Sequence, residues 1–350
     1  MSSLFNRINK EILKLRLEQE SFKRQTLSFY KYFEVENPQE FRDNLYRKWN
    51  AINCFGRVYI AYEGINAQMS VPEHNLEIFL ATISENKYLK NIPIKYAVHD
   101  DGKSFYKLTI KVRNQIVADG LEPNTYNLQQ VGRHLSAAEF NKHFENSCSI
   151  VIDMRNHYES EIGRFENSFC PDSDTFKEAI QIVEQKFSDK KDKHFMLYCT
   201  GGIRCEKASA YLLKQGFTNV SQLYGGIIEY AHQVKKQNLP SKFVGKNFVF
   251  DQRLGERIDD QVISRCHQCG KPADSHTNCA NNDCHLLFIQ CTECAVKYNS
   301  CCSAECNHIN SLPVKERLKY RNFKFAEYSN SKIFKSRLRP ALKELNLLEK

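Results

Sequence analysis

No apolar stretch in this chain of 350 residues approaches the roughly 20 residues needed to cross a bilayer. The first residues lack an apolar core as well. Arg7, Lys10, Glu11, Lys14, Arg16, Glu18 and Glu20 interrupt them, so they do not read as a secretory signal. The 14 cysteines are therefore expected as thiols or metal ligands in a reducing, cytoplasmic setting rather than as disulfides. Internal repeats and low-complexity tracts are missing, which sets repeat architectures aside. A flavin fingerprint is missing too. His157-Tyr-Glu159 has the spacing of two legs of a two-His-one-carboxylate iron site, but no third ligand can be named.

What is present suffices for two or three domains with real cores. The net charge of +9 and a pI near 8.8 permit a nucleic-acid partner. The stretch that organises the chain runs from His194 to Leu213. Phe195 to Tyr198 form an apolar run of strand length, and Cys199 falls where that strand ends. Ala208, Tyr211 and Leu212 recur at helical spacing, with Gly216 as the stop. A cysteine between a strand end and a helix N-terminus sits in a field that favours its thiolate. The backbone of Thr200, Gly201, Gly202, Ile203 and Arg204 can turn its N–H groups toward one point. A cysteine phosphatase wants its arginine six positions after the nucleophile. Here that position is Cys205 and the arginine comes one residue early, which favours a sulfur-handling loop. A buried structural cysteine beside a tight turn is the competing reading. Cys205 could resolve an oxidised Cys199 or simply begin the buried face of the helix.

Before this stretch, Leu4, Ile8, Ile12 and Leu15 place a helical arm over residues 1–25, expected to pack by that face. Residues 26–118 read as a β-α-β-β-α-β unit. Leu27 to Val35 is strand-like, and Asn37-Pro-Gln-Glu40 is a capped helix start before Phe41, Leu45 and Trp49. Strands follow at 57–61 and 65–71, divided by Glu63-Gly64. Ser70-Val-Pro-Glu73 is expected to cap the next helix, which carries Leu76, Phe79, Leu80 and Ile83. Strands at 94–98 and 104–112 complete a ferredoxin-like, acylphosphatase-like α+β sandwich. Its exposed sheet face could stack RNA bases or simply be solvated.

A polar linker spans 119–136, and residues 137–245 alternate strands and helices as an α/β domain with a parallel sheet. Ser149 to Asp153 is a buried strand, and Thr175 with Glu178 forms a capping box before an amphipathic helix. Asp153 and Cys199 are both placed at strand carboxyl ends, where such sheets carry their sites. Arg155 could hold an anion or fix the loop through Asp153.

Residues 246–310 are cysteine-rich. Cys266-x2-Cys269 and Cys291-x2-Cys294 are assigned to one tetrahedral zinc site. Cys279, Cys284 and Cys306 with Cys301 or Cys302, taken here as Cys302, form a second. Four thiolates leave no open position, so both sites are expected to be structural. His267, His276, His285 and His308 are possible substitutes. In residues 311–350, Val314 to Arg339 carry nine Lys or Arg against two Glu, interleaved with Tyr320, Phe323, Phe325, Tyr328 and Phe334. That pattern suits RNA, or a solvated terminus.

Cys199-Thr-Gly-Gly-Ile-Arg-Cys205 resembles the active-site loop of a rhodanese domain. Ile152-Asp-Met-Arg-Asn156, Gly163-Arg-Phe-Glu-Asn167 and Leu223-Tyr-Gly-Gly-Ile227 resemble that fold's other signatures, in the right order. Nearly the whole chain resembles the bacterial tRNA uridine hydroxylase family with a rhodanese core. The resemblance implies oxygen-dependent hydroxylation of the wobble uridine at C5 in the tRNA anticodon loop. It also implies a persulfide-type intermediate on Cys199, with dioxygen as co-substrate. A plain sulfurtransferase and a binding module without chemistry are the alternatives.

Overall fold

A computed structural model describes residues 4–6, 8–121, 125–145, 148–284 and 286–317. His285 and the tail from residue 318, with all five of its aromatic residues, lie outside the described residues. Helix α1 (Lys10–Glu18) precedes strand β1 (Arg24–Tyr32). Helix α2 (Pro38–Ala51), strands β2 (Phe55–Ala61) and β3 (Gly64–Pro72), helix α3 (Leu76–Ser84), and strands β4 (Lys95–Tyr96) and β5 (Leu108–Val112) complete the first domain. Its sheet runs β4-β1-β3-β2-β5, antiparallel except for β5 beside β2.

Strand alternation decides what each face of this sheet does. Phe29, Ala67, Val58 and Ile110 align across four strands and bury against Trp49 of α2 and Phe79 of α3. Tyr30, Asn66, Tyr59 and Lys111 form the adjacent row on the opposite, polar face. Helix α2 starts as the sequence expects. Asn37 accepts the Glu40 N–H at 3.1 Å, and Pro38 occupies the first turn.

Three expectations for this region are corrected. Leu13 and Leu17 are the buried residues of α1, whereas Ile12 and Leu15 are exposed. The helix carries two adjoining apolar stripes, and only one is covered. Ser70 caps nothing: it is locked into β3 opposite Thr26 and Phe55, and a 3-10 turn at Glu73–Asn75 leads into α3 without a side-chain cap. The last strand holds pairing only from Leu108.

The second domain comprises β6 (Arg133–Leu135), α4 (Ala137–Phe144), β7 (Ser149–Asp153), α5 (His157–Ile162) and β8 (Gly163–Phe165). It continues with α6 (Phe176–Lys186), β9 (His194–Tyr198), α7 (Ile203–Lys214), β10 (Asn219–Leu223) and α8 (Gly226–Gln237). Its parallel sheet runs β6-β10-β9-β7. Helices α6 and α7 pack on one face, and α4 and α8 on the other. The segment expected to be a linker thus ends inside the sheet as β6. Ser136 and Glu139 close a capping box on α4. On α6 Thr175 caps Glu178, but the Glu178 carboxylate accepts the N–H of Asp174 rather than completing a box.

Strand β11 (Phe243–Asn247) pairs with β8 and with β12 (Glu256–Arg257), which attaches the third segment to the second domain. The hairpin β13 (His276–Asn278) and β14 (Leu287–Ile289), with α9 (Thr292–Lys297) and α10 (Ala304–Ser311), follows. Among the described residues no helix is long and apolar enough to cross a membrane.

The first two domains are joined through a buried ion cluster. Lys207 of α7 is wholly buried, 2.8 Å from Asp119 and 3.0 Å from Glu63 of the β2–β3 turn. Asp119 also accepts from Tyr126 and Gln115, and Glu63 from the Ile116 N–H. Removing one member of such a cluster leaves buried charge uncompensated. Lys207→Met is expected to cost about 3–5 kcal/mol of stability, read as a lowered guanidinium midpoint followed by the fluorescence of Trp49.

Candidate active site

Strand β9 ends at Tyr198 and delivers Cys199 to the carboxyl edge of the parallel sheet. The chain then turns before entering α7. Gly202, the residue preceding that helix, has φ of +98°, a conformation that glycine adopts without strain. Its N–H donates to Cys199 Sγ at 3.1 Å. A second glycine is demanded by close approach. A Cβ on Gly226, at φ +69°, would lie 2.5 Å from the Cys199 carbonyl oxygen. Here the backbone of α8 ties the loop down, the Ile227 N–H donating to that oxygen at 3.0 Å and the Ile228 N–H to Thr200 at 3.2 Å.

Two ion pairs set the loop's surroundings, and both are buried. Arg204 forks onto Glu159 of α5, with N···O distances of 2.6 and 2.8 Å, and Thr200 donates to the same carboxylate at 3.3 Å. Burial favours the neutral form of Glu159, but the Arg204 charge holds its carboxyl below the usual range. Arg155 forks in the same way onto Asp153 and donates to the Gly163 carbonyl at 2.6 Å. Its fork is fully committed, so it braces the sheet edge and is not open to an external anion. The iron reading of His157 and Glu159 is not supported. His157 Nδ1 lies 3.0 Å from Asp174, while Glu159 is engaged by Arg204.

Burial by itself would raise the Cys199 thiol. A hydrogen bond from the Cys205 thiol, the charge of Arg204, and the N–H groups of Arg204 and Cys205 outweigh it and bring the pKa down to about 6. Cys205, buried and facing that sulfur, is pushed up and stays protonated. A thiolate so held can attack a sulfane sulfur or another electrophile.

The first domain roofs this loop with its polar sheet face. Tyr30 donates to Glu206 at 3.1 Å and Tyr32 to the Ile203 carbonyl at 3.2 Å. Between roof and loop lies a cavity of about 880 Å³, lined by Tyr30, Arg57, Lys95, Arg113, Cys199, Arg204 and Phe250 among others. Sequence reasoning missed Glu159 as the partner of Arg204, although its place three residues after Asn156 is a capping signal. It also missed Tyr30 and Lys95, which only the docking of the domains brings to the site.

The third segment gathers its cysteines into two groups, Cys266, Cys269, Cys291 and Cys294, and Cys279, Cys284, Cys302 and Cys306. Sulfur separations of 3.6 Å (Cys269–Cys291), 3.7 Å (Cys284–Cys302) and 3.6 Å (Cys302–Cys306) match the edge of about 3.8 Å that zinc–sulfur bonds impose on a tetrahedron. Cys301 stands outside both groups. So do His267, which lies 2.7 Å from Glu161, and the buried His276.

Residues 24–116 match the family model of the UPF0176 acylphosphatase-like domain, residues 136–233 that of the rhodanese-like domain, and residues 244–307 that of the rhodanase C-terminal region. A protein of Leptospira interrogans named tRNA uridine(34) hydroxylase is 52% identical over 342 residues, 98% of this chain and 93% of that protein. A protein of the same name from Photorhabdus laumondii is 52% identical over 318 residues, 91% of this chain and 90% of its own length. One from Pectobacterium carotovorum is 51% identical over 323 residues, 92% and 91% of the two chains.

Alkylation of Cys199 by iodoacetamide, followed by peptide mass spectrometry, should rise through a midpoint near pH 6. The thiolate is the reacting form, so the rate climbs as pH climbs through that value. Arg204→Met and Cys205→Ala each remove a stabiliser of the anion and should move the midpoint upward.

Proposed function

The chain belongs to the tRNA uridine(34) hydroxylase family, and on that premise we propose that it places a hydroxyl on C5 of this uridine in a dioxygen-dependent reaction centred on Cys199. The observation that carries the reading is the Cys199 sulfur itself. It is held as an anion by Gly202 at 3.1 Å and by Arg204, and it opens on a cavity roofed by a second domain. A wobble base sits in a single-stranded loop and can be splayed into such a cavity at modest cost. Arg57, Tyr59 and Arg113 on the cavity wall offer cations and a ring face to a nucleotide.

The sulfur passes through a persulfide-type intermediate. The thiolate attacks the sulfane sulfur of a donor, a new S–S bond forms, and the donor's remaining group leaves. Asp153 with Arg155, and Glu159 with Arg204, keep the loop in place while Cys199 reacts. The two cysteine groups hold zinc in structural sites. They fit it by donor type and by sulfur spacing. The enzyme works in the cytosol on the anticodon loop, and the basic segment from Val314 to Arg339 adds phosphate contacts.

Nucleosides of bulk tRNA from cells lacking this protein should have lost 5-hydroxyuridine and its derivatives. Wild-type protein should restore them and Cys199→Ser should not. Unchanged hydroxyuridine with altered thiolated nucleosides would move the assignment to sulfur transfer. The purified protein should carry two zinc ions, one for each cysteine group. Cys269→Ser or Cys284→Ser should lower that content, measured by atomic emission. Affinity for an anticodon stem-loop should fall steeply with salt.

A further inference from the structure

Five cationic side chains are at least nine-tenths buried among the described residues: Arg24, Lys95, Arg155, Arg204 and Lys207. Four are neutralised by a carboxylate. Arg24 pairs with Glu20, Arg155 with Asp153, Arg204 with Glu159, and Lys207 with Asp119 and Glu63. Lys95 is 7% exposed, and its ammonium makes no ion pair or hydrogen bond among the described residues; it rests on the Tyr30 ring, 4.7 Å from the centroid. An unpaired buried charge is expensive, and an anion beside it would offset that cost.

The position of Lys95 says where that anion belongs. Lys95 lines the cavity together with Cys199. A Cβ built on Gly201 would meet its Cε at 3.9 Å, and one on Gly225 its Cδ at 3.5 Å, so the side chain lies along the two glycine turns that bracket the cysteine loop. Burial draws the ammonium below the usual lysine value, while the charges of Cys199, Glu229 and Glu206 act the other way. The groups that face Cys199 and Lys95 are Tyr30 from β1, Glu159 from α5, Arg204, Cys205 and Glu206 from α7, and Glu229 from α8. Of these, Glu159 is neutralised by Arg204. Glu206 is shared by Tyr30, His134 and Gln222. Burial, then Glu206 and Cys199, push the Tyr30 phenol well up, so its ring is a neutral seat for the cation.

We propose that Lys95, contributed by the first domain, is the counter-ion of the negative charge carried by sulfur at Cys199. It faces the thiolate before sulfur transfer and the outer sulfur of the persulfide afterwards. The second of these roles rests on the persulfide reading above; the first does not. With thiosulfate as donor the step is balanced. The thiolate attacks the outer sulfur, the S–S bond of thiosulfate breaks, sulfite leaves with the bonding pair, and the persulfide keeps one negative charge on its outer atom. The N–H groups of Gly202, Arg204 and Cys205 are already engaged with the Cys199 sulfur. The outer atom projects into the cavity, where Lys95 is, among the described residues, the lining cation that is both buried and without a carboxylate partner; Arg57 and Arg113 also lack one but are exposed. The active site is therefore built from two domains, and a rhodanese-like domain alone is an incomplete version of it.

The test uses the full-length protein with Lys95→Met and Lys95→Arg, and Lys95→Gln as a polar replacement should the methionine variant misfold. Two quantities are read: the pH midpoint of Cys199 alkylation, and the fraction of chains that gain one sulfur atom after exposure to thiosulfate. Lys95→Met should raise the midpoint by about one pH unit, roughly a tenfold loss of thiolate below it, and lower sulfur uptake by a similar factor. Lys95→Arg should keep both near wild type. Wild-type values for Lys95→Met would overturn the proposal. So would weakened binding of an anticodon stem-loop with both sulfur readouts unchanged, which would make Lys95 a phosphate contact. If the wild-type protein takes up no sulfur, the persulfide reading fails, while the alkylation midpoint still decides the role of Lys95.

Discussion

Lys207 has no water to go to. Its ammonium is wholly enclosed and satisfied by groups from outside its own domain core: the carboxylates of Glu63 in the β2–β3 turn and of Asp119 in the segment between the domains, and the Val117 carbonyl. It also sits on α7, one turn past the residues that cradle Cys199. One helix therefore fixes both the loop that holds the sulfur and the docking of the domain that roofs it. The attraction inside such a cluster offsets the desolvation of three charges only if all three stay in register. The cavity inherits that rigidity, since its two walls cannot separate without breaking the cluster.

The sulfur depends on a second economy of charge. A buried thiolate is unfavourable by itself, and the loop answers it with the Gly202 N–H, the Cys205 thiol and the Arg204 charge. Arg204 acts at close range because Glu159 holds its fork still. Glu159 is in turn tied to the start of α5 by the Asn156 N–H at 3.1 Å. A short helix that does not line the cavity thus governs the reactivity of a sulfur at the end of a neighbouring strand.

Much of this was legible because it is local. Asn37 and Pro38 announce a helix start from within one turn. The apolar run before Cys199, the two glycines and Arg204 define a strand, a loop and a helix without reference to anything distant. The cysteine pairs are legible because metal geometry restricts spacing. What escaped was set by tertiary packing. Leu13 and Leu17 are covered while Ile12 and Leu15 are exposed because of which stripe of α1 meets its neighbour. Ser70 is drawn into β3 by two partner strands, a pull that a capping pattern does not register. Residues 133–135 read as polar linker because a short edge strand needs little apolar character. Lys95 and Tyr30 carry no motif at all. They join the site through sheet order, which brings β4 and β1 over a loop more than 100 residues away in sequence.

The two cysteine groups alternate along the chain: 266 and 269, then 279 and 284, then 291 and 294, then 302 and 306. Neither ring of chain can be closed without threading half of the other group between its own halves. Drawing together 266–269 and 291–294 shortens the distance over which 279–284 must find 302–306, and so lowers the entropy of the second closure. The segment is a cross-brace, and its assembly is cooperative. A metal ion held at one group would therefore favour closure of the other, so a molecule that takes up two ions would do so with positive cooperativity.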